Sequence, residues 1–146
     1  MIGVDRHIAA AHMVLGKDLN PHGTLFAGQA VSYMIECGFL AVQSFLHSSH
    51  IVCLGVDGLR FLRPVHKENT IQLDSLIVYA GTASVGVYVQ LLIAGGGRQA
   101  AEGFVSFVCI DEQTGQSRPH GMILTSLSGN EKKLQDMYMT YKGMTR

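Results

Sequence analysis

At 146 residues the chain has the length of one domain, and 47% hydrophobic against 15% charged residues is enough for a real core. Eleven Lys and Arg balance eleven Asp and Glu, so there is no basic field to attract nucleic acid or an anionic membrane surface, and neither partner is expected. Cys37, Cys53 and Cys109 are odd in number and lie far apart, which argues against both a disulfide framework and a Cys-based zinc site.

The opening residues MIGVDRHIAA lack a basic segment followed by a long apolar stretch and a cleavage site, so no secretory signal is expected and the cytosol is the default location. Residues 6–15 are apolar and end at a cluster of Asp, Asn, Pro and Gly over 17–23, the pattern of a short strand entering a loop. From 25 to 47 the chain is apolar without a Lys or Arg, and Glu36 is its one formal charge. Gln29, Ser32, Glu36, Gln43 and Ser44 interrupt that run and no cationic flank orients it, so it reads as a buried helix of about 25–46 and not as a membrane span. Four runs rich in Val, Ile, Leu, Phe and Tyr follow at about 50–63, 69–80, 84–94 and 99–110 and read as strands. Their separators, 64–68, 81–83 and Gly95-Gly96-Gly97, have hairpin lengths and predict an antiparallel meander. Leu127, Leu134, Met137, Met139 and Tyr141 recur among Lys and Glu, which predicts a final amphipathic helix at about 126–142.

With no repeat or linker in view, residues 1–146 read as a single α+β domain: a long helix enclosed by one curved five-stranded antiparallel sheet. Some strand segments are apolar on both faces, as Ile51 to Val56 are. The outer face of the sheet is therefore expected to pack against a second subunit, giving a homodimer or higher homo-oligomer.

Three motifs occur in the right order over roughly residues 5–112: Asn20-Pro-His-Gly-Thr-Leu-Phe-Ala-Gly-Gln29 followed by Tyr33-Met-Ile-Glu36, then Leu59-Arg-Phe-Leu-Arg-Pro64, then Gly81-Thr-Ala-Ser-Val85. Together they resemble the acyl-CoA hydrolase group of hot-dog fold thioesterases. The resemblance implies the hot-dog fold, hydrolysis of an acyl-CoA thioester, coenzyme A lying against the Gly81 turn, and a site formed by two subunits. It makes Glu36, Asn20, Thr24, Ala27 and Gly28 the catalytic candidates, and His22, Arg63, Gly81, Thr82 and Ser84 the substrate contacts. The chemistry is intelligible. The amides of Ala27 and Gly28 would open a helix, where developing negative charge is favoured. A carboxylate in an apolar site has its pKa raised and can act as base or nucleophile.

The chain departs from the family at the acid. The family carboxylate stands seven residues after the second Gly of its triplet, and that count from Gly28 reaches Ile35, one residue before Glu36. A one-residue insertion in the preceding loop would instead bring Glu36 to the family spacing, and both registers stay open. Thr24 stands where some members carry Asp or Asn, and Thr82 replaces the Arg of the coenzyme A turn. The seven His do not pair with carboxylates at metal-ligand spacing, so neither metal nor cofactor is expected. Two other functions compete with hydrolysis. Ile35 favours a non-catalytic acyl-CoA-binding module, a sensor or regulatory subunit. An acyl-thioester hydratase would need a His and acid pattern around the central helix that is not evident.

Overall fold

The computed structural model describes residues 6–144; the opening residues 1–5, on which part of the reading of the N-terminus rests, lie outside the described residues. In chain order the elements are β1 (His7–Met13), a single 3-10 turn (Gly16–Asp18), α1 (Ala27–Leu46), β2 (Ile51–Phe61), β3 (Thr70–Ala80), β4 (Ser84–Ile93), β5 (Arg98–Cys109) and α2 (Gly129–Tyr141). The five strands form one sheet in the order β1-β3-β4-β5-β2, each neighbouring pair antiparallel. This is the hot-dog arrangement.

The expected four-strand meander holds only for β3, β4 and β5. β2 pairs with β5 and not with β3, so residues 62–69 form a crossing and not a hairpin. That crossing has partners of its own. Leu25 donates its amide to the Val65 carbonyl at 2.7 Å, and Thr24 bridges His66, so the crossing runs beside the loop that leads into α1. Four irregularities of register, in β2 twice and in the β3/β4 and β4/β5 pairs, supply the bends a wrapped sheet needs.

α1 packs against one face of the sheet through Ala30, Met34, Cys37, Gly38, Ala41, Val42 and Phe45, spaced three and four apart as a helix face requires. Opposite them stand Ile71, Leu73 and Ile77 of β3, Val85 to Leu91 of β4 in alternation, and Val105 and Phe107 of β5. At Gly38 the helix packs on the Phe107 and Val89 side chains, each 3.4 Å from where a Cβ would stand. As expected, the sheet curves around the helix, and all five strands contact it. Gly28, Ser32, Glu36 and Leu40 form an exposed stripe along its back.

The other face of the sheet is covered in part by the chain's own α2, where a second subunit was expected. Tyr138 is fully buried with Val78 and Phe104, and its hydroxyl shares a 2.7 Å hydrogen bond with Ser106 Oγ. Gly86 makes room for the Tyr138 ring, because a Cβ at position 86 would overlap it. α2 begins at Gly129, later than the expected 126, because Ser128 and Glu131 close a reciprocal capping box that fixes its first turn. β1 and β2 are the two edges of the sheet, and on β2 Val52, Leu54 and Phe61 remain exposed.

Candidate functional site

The loop into α1 is held by one buried carboxylate. Asp18 has no exposed surface and accepts hydrogen bonds from the Leu15 amide (2.8 Å), Lys17 Nζ (3.1 Å), Gln29 Nε2 (3.0 Å) and Tyr33 Oη (2.9 Å). Its backbone carbonyl takes the Phe26 amide at 2.7 Å. Burial pushes the carboxyl upward most strongly, but the Leu15, Lys17 and Tyr33 hydrogen bonds together outweigh it and hold Asp18 below the usual carboxylate range. Its partners lie up to fifteen residues away on α1, so Asp18 ties the loop to the helix it precedes.

Two residues later Asn20 folds the loop on itself. Its Oδ1 accepts the amides of His22 (2.9 Å) and Thr24 (3.1 Å), and its Nδ2 donates to Thr24 Oγ1 at 2.8 Å. This is an Asx turn closed by a left-handed Gly23 at φ 79°. The arrangement engages the amide oxygen twice and leaves one Nδ2 proton uncommitted among the described residues. Asn20 lines an apolar cavity of about 400 Å³ together with Leu25, Ala27, Ala30, Leu91 and Ala101.

Ala27 and Gly28 open α1 behind Phe26, which gives no side-chain cap. The Gln29 and Ala30 amides bond to the Phe26 carbonyl, whereas those of Ala27 and Gly28 have no acceptor among the described residues. Unpaired amides at the positive end of a 20-residue helix favour a developing anion. A Cβ at Gly28 would stand 2.6 Å from the exposed Phe26 ring, which would have to swing aside. Arg63 lines the cavity at its rim, with Nη1 donating to the Gln99 carbonyl at 2.7 Å, and His22 is exposed on the loop. Asn20, Thr24, Ala27, Gly28, Arg63 and His22 are thus brought to one end of α1.

Glu36 is not brought there. Its side chain is 62% exposed and stands 3.8 Å from His12 Nε2 on β1, at the sheet edge opposite β2. The preceding residue, Ile35, shares a face with Phe39, whose ring meets Phe107 of β5 edge-on at 6.2 Å. One position turns about 100°, so Ile35 faces the β5 and β2 side while Glu36 follows Tyr33 to the β1 side. Among the described residues no carboxylate lines the cavity.

The Gly81 turn is also apart. Gly81 donates its amide to the Ser84 carbonyl at 2.9 Å, and His120 bonds the carbonyls of Thr82 and Ser84. Gly81 and Thr82 line a separate open cavity of about 690 Å³ with Tyr79, Pro119 and Met122. Leu91, near the end of β4, lines the first cavity, and Ser84 begins that strand, so the two groups lie towards opposite ends of β4, about 23 Å apart. No group of three His, Cys, Asp or Glu among the described residues is placed to hold a metal, and no described helix is long and apolar enough to cross a membrane.

The sequence reading missed Asp18, Gln29 and Tyr33 as the frame of the site. The available signal was an Asp two residues before the turn-forming Asn.

A family model described as the thioesterase superfamily matches residues 22–100. The chain is 29% identical over 102 residues to the uncharacterized acyl-CoA thioester hydrolase YkhA of Bacillus subtilis, which covers 67% of this chain and 59% of that protein. It therefore spans less than two thirds of the relative's length. It is 25% identical over 108 residues to the acyl-CoA thioester hydrolase YciA of Escherichia coli, covering 69% of this chain and 81% of the relative. Among solved structures, the acyl-CoA hydrolase of Staphylococcus aureus, determined with butyryl coenzyme A, superposes with a TM-score of 0.82 at 23% identity, over 95% of this chain and 83% of the other. An apo-hexameric acyl-CoA thioesterase gives a TM-score of 0.84 at 24% identity, over 97% and 92%. At these identities the structural likeness establishes the fold.

Proposed function

This chain belongs to the thioesterase superfamily, and from that premise we propose that it hydrolyses acyl-CoA thioesters to the free acid and coenzyme A. One observation carries the reading: Asn20, with one Nδ2 proton uncommitted, and Ala27, whose unpaired amide opens α1, line the same apolar cavity. In this reading the acyl chain enters the cavity and the thioester carbonyl oxygen lies against the helix N-terminus. A water held at Asn20 and Thr24 attacks the carbonyl carbon. The C–S bond then breaks, and the coenzyme A thiolate takes up the proton the water releases.

We read the chain as one hot-dog domain acting in a homo-oligomer with shared sites. The free β2 edge carries exposed Val52, Leu54 and Phe61, the kind of edge that pairs with another copy. A copy joined there by a twofold axis runs antiparallel, so its Gly81–Ser84 end approaches this chain's Asn20 end. Arg63 and His22 at one end, and Gly81, Thr82 and Ser84 from the other, are then the proposed contacts to coenzyme A. The free thiols of Cys37, Cys53 and Cys109 support a cytosolic setting.

Ile35 and the absence of a lining carboxylate favour a second reading, in which the chain binds acyl-CoA without turning it over. Thiol release across acyl-CoAs, measured beside binding of the same ligands, separates the two. Turnover supports the first reading, binding without turnover the second, and neither result with folded protein would reject both.

A further inference from the structure

The floor of the cavity is built in an unusual way. Ala100 and Ala101 are consecutive residues of β5, yet both are buried to 2% exposure and both line the same cavity. In an undisturbed strand consecutive side chains point to opposite faces. Here the β4/β5 register slips: Leu91 pairs with Ala101 and Leu92 with Gln99, so Ala100 has no partner on β4. The extra residue of a bulge re-aims its side chain, and such bulges recur beside functional sites. On its other side the bulge is held by Ala100, whose carbonyl accepts the Leu62 amide at 2.7 Å and the Arg63 amide at 3.3 Å. Ala30 of α1 and Leu91 of β4, both buried, complete the floor. Asn20 and the exposed Ala27, Phe61 and Leu62 form the mouth.

We propose that the bulged pair Ala100 and Ala101 is the length gauge of the site, selecting short- to medium-length straight acyl chains. The inference rests on the reading that this cavity receives the acyl group of an acyl-CoA. Three alanines and one leucine leave about 400 Å³, near the lower end of the roughly 300–1,000 Å³ of small-molecule pockets. That end suits a short or medium chain. Each methylene that fits should improve efficiency about fourfold, and the gain should stop where the chain meets the floor.

The test is a series of straight-chain substrates from acetyl- to palmitoyl-CoA, with kcat/KM and calorimetric affinity measured for each on the intact protein. Ala101→Leu fills the floor and should move the break about three methylenes shorter. Leu91→Ala empties it and should move the break about three methylenes longer. Should Ala101→Leu fail to fold, Ala100→Val gives the same shift in smaller measure. Breaks that stay at the wild-type length in folded variants overturn the gauge even if hydrolysis is found. A shifting break in affinity without turnover keeps the gauge and rejects hydrolysis. No binding of any acyl-CoA rejects both.

Discussion

The side chain of Asn20 is wired to Thr24 at both ends, taking the Thr24 amide on Oδ1 at 3.1 Å and donating Nδ2 to Thr24 Oγ1 at 2.8 Å. The loop and the proposed donor are therefore one unit. Asn20→Asp keeps both amide bonds to the oxygen but removes the Nδ2 donor, both the bond to Thr24 Oγ1 and the uncommitted proton. With the fold intact by circular dichroism, kcat on acyl-CoA is expected to drop roughly 10²-fold or more. Thr24→Val should cost about tenfold. An Asn20→Asp protein that turns over normally removes Asn20 from the chemistry.

The flank occupied by Glu36 gives the next expectation. Because Glu36 faces His12 and not the cavity, Glu36→Gln should keep kcat/KM within about threefold, in contrast to the role the family spacing suggested. Ile35→Asp should raise turnover, since position 35 faces the β5 and β2 side. Without a carboxylate base, log kcat/KM should climb steadily between about pH 6 and 9, as hydroxide does, with no plateau above a carboxylate pKa. A 10²-fold loss in Glu36→Gln would show that it serves a site on another copy.

Acid should act through Asp18. Its carboxyl is held below the unfolded value, so its contribution to stability is present above an unfolded pKa of about 3.9 and is lost as pH falls through the lower folded one. Asp18→Asn should lower the melting temperature at pH 7 by roughly 5 °C or more, with the gap to wild type closing below about pH 3. A pH-independent gap, followed by calorimetry, would assign the loss to packing alone.

Tyr138 and Gly86 test how α2 is attached. Gly86→Ala drives a methyl into the Tyr138 ring and should destabilise the fold by about 1–3 kcal/mol in urea. Tyr138→Phe leaves Ser106 Oγ without its buried partner and should cost about 1–2 kcal/mol. Equal urea midpoints for all three proteins would mean that the seat of Tyr138 contributes little to global stability.

The long helix was legible because 20 residues without Lys or Arg admit few alternatives, and the strands because Gly, Pro and Asp punctuate them. The strand order was not. A crossing of eight residues reads like a hairpin until its Val65 carbonyl is seen accepting the Leu25 amide of the loop before α1. Asp18 looked like ordinary loop polarity, since its burial depends on Gln29 and Tyr33, eleven and fifteen residues further on. The direction of Glu36 turns on a single helical position, and only the placement of β1 and β5 on either side of α1 shows which way it points. Tyr138 gave no sign of its seat, because a glycine within a strand announces room without saying what fills it.

The distance between Asn20 and the Gly81 turn along β4 has a genetic consequence. If each site draws its two halves from different copies, a chain damaged at Asn20 and another damaged at Thr82 and Ser84 are not equally dead when mixed. Each mixed pair carries one site with both lesions and one with neither. Two inactive alleles expressed in one cell would then rescue each other, as two lesions within a self-contained site never do.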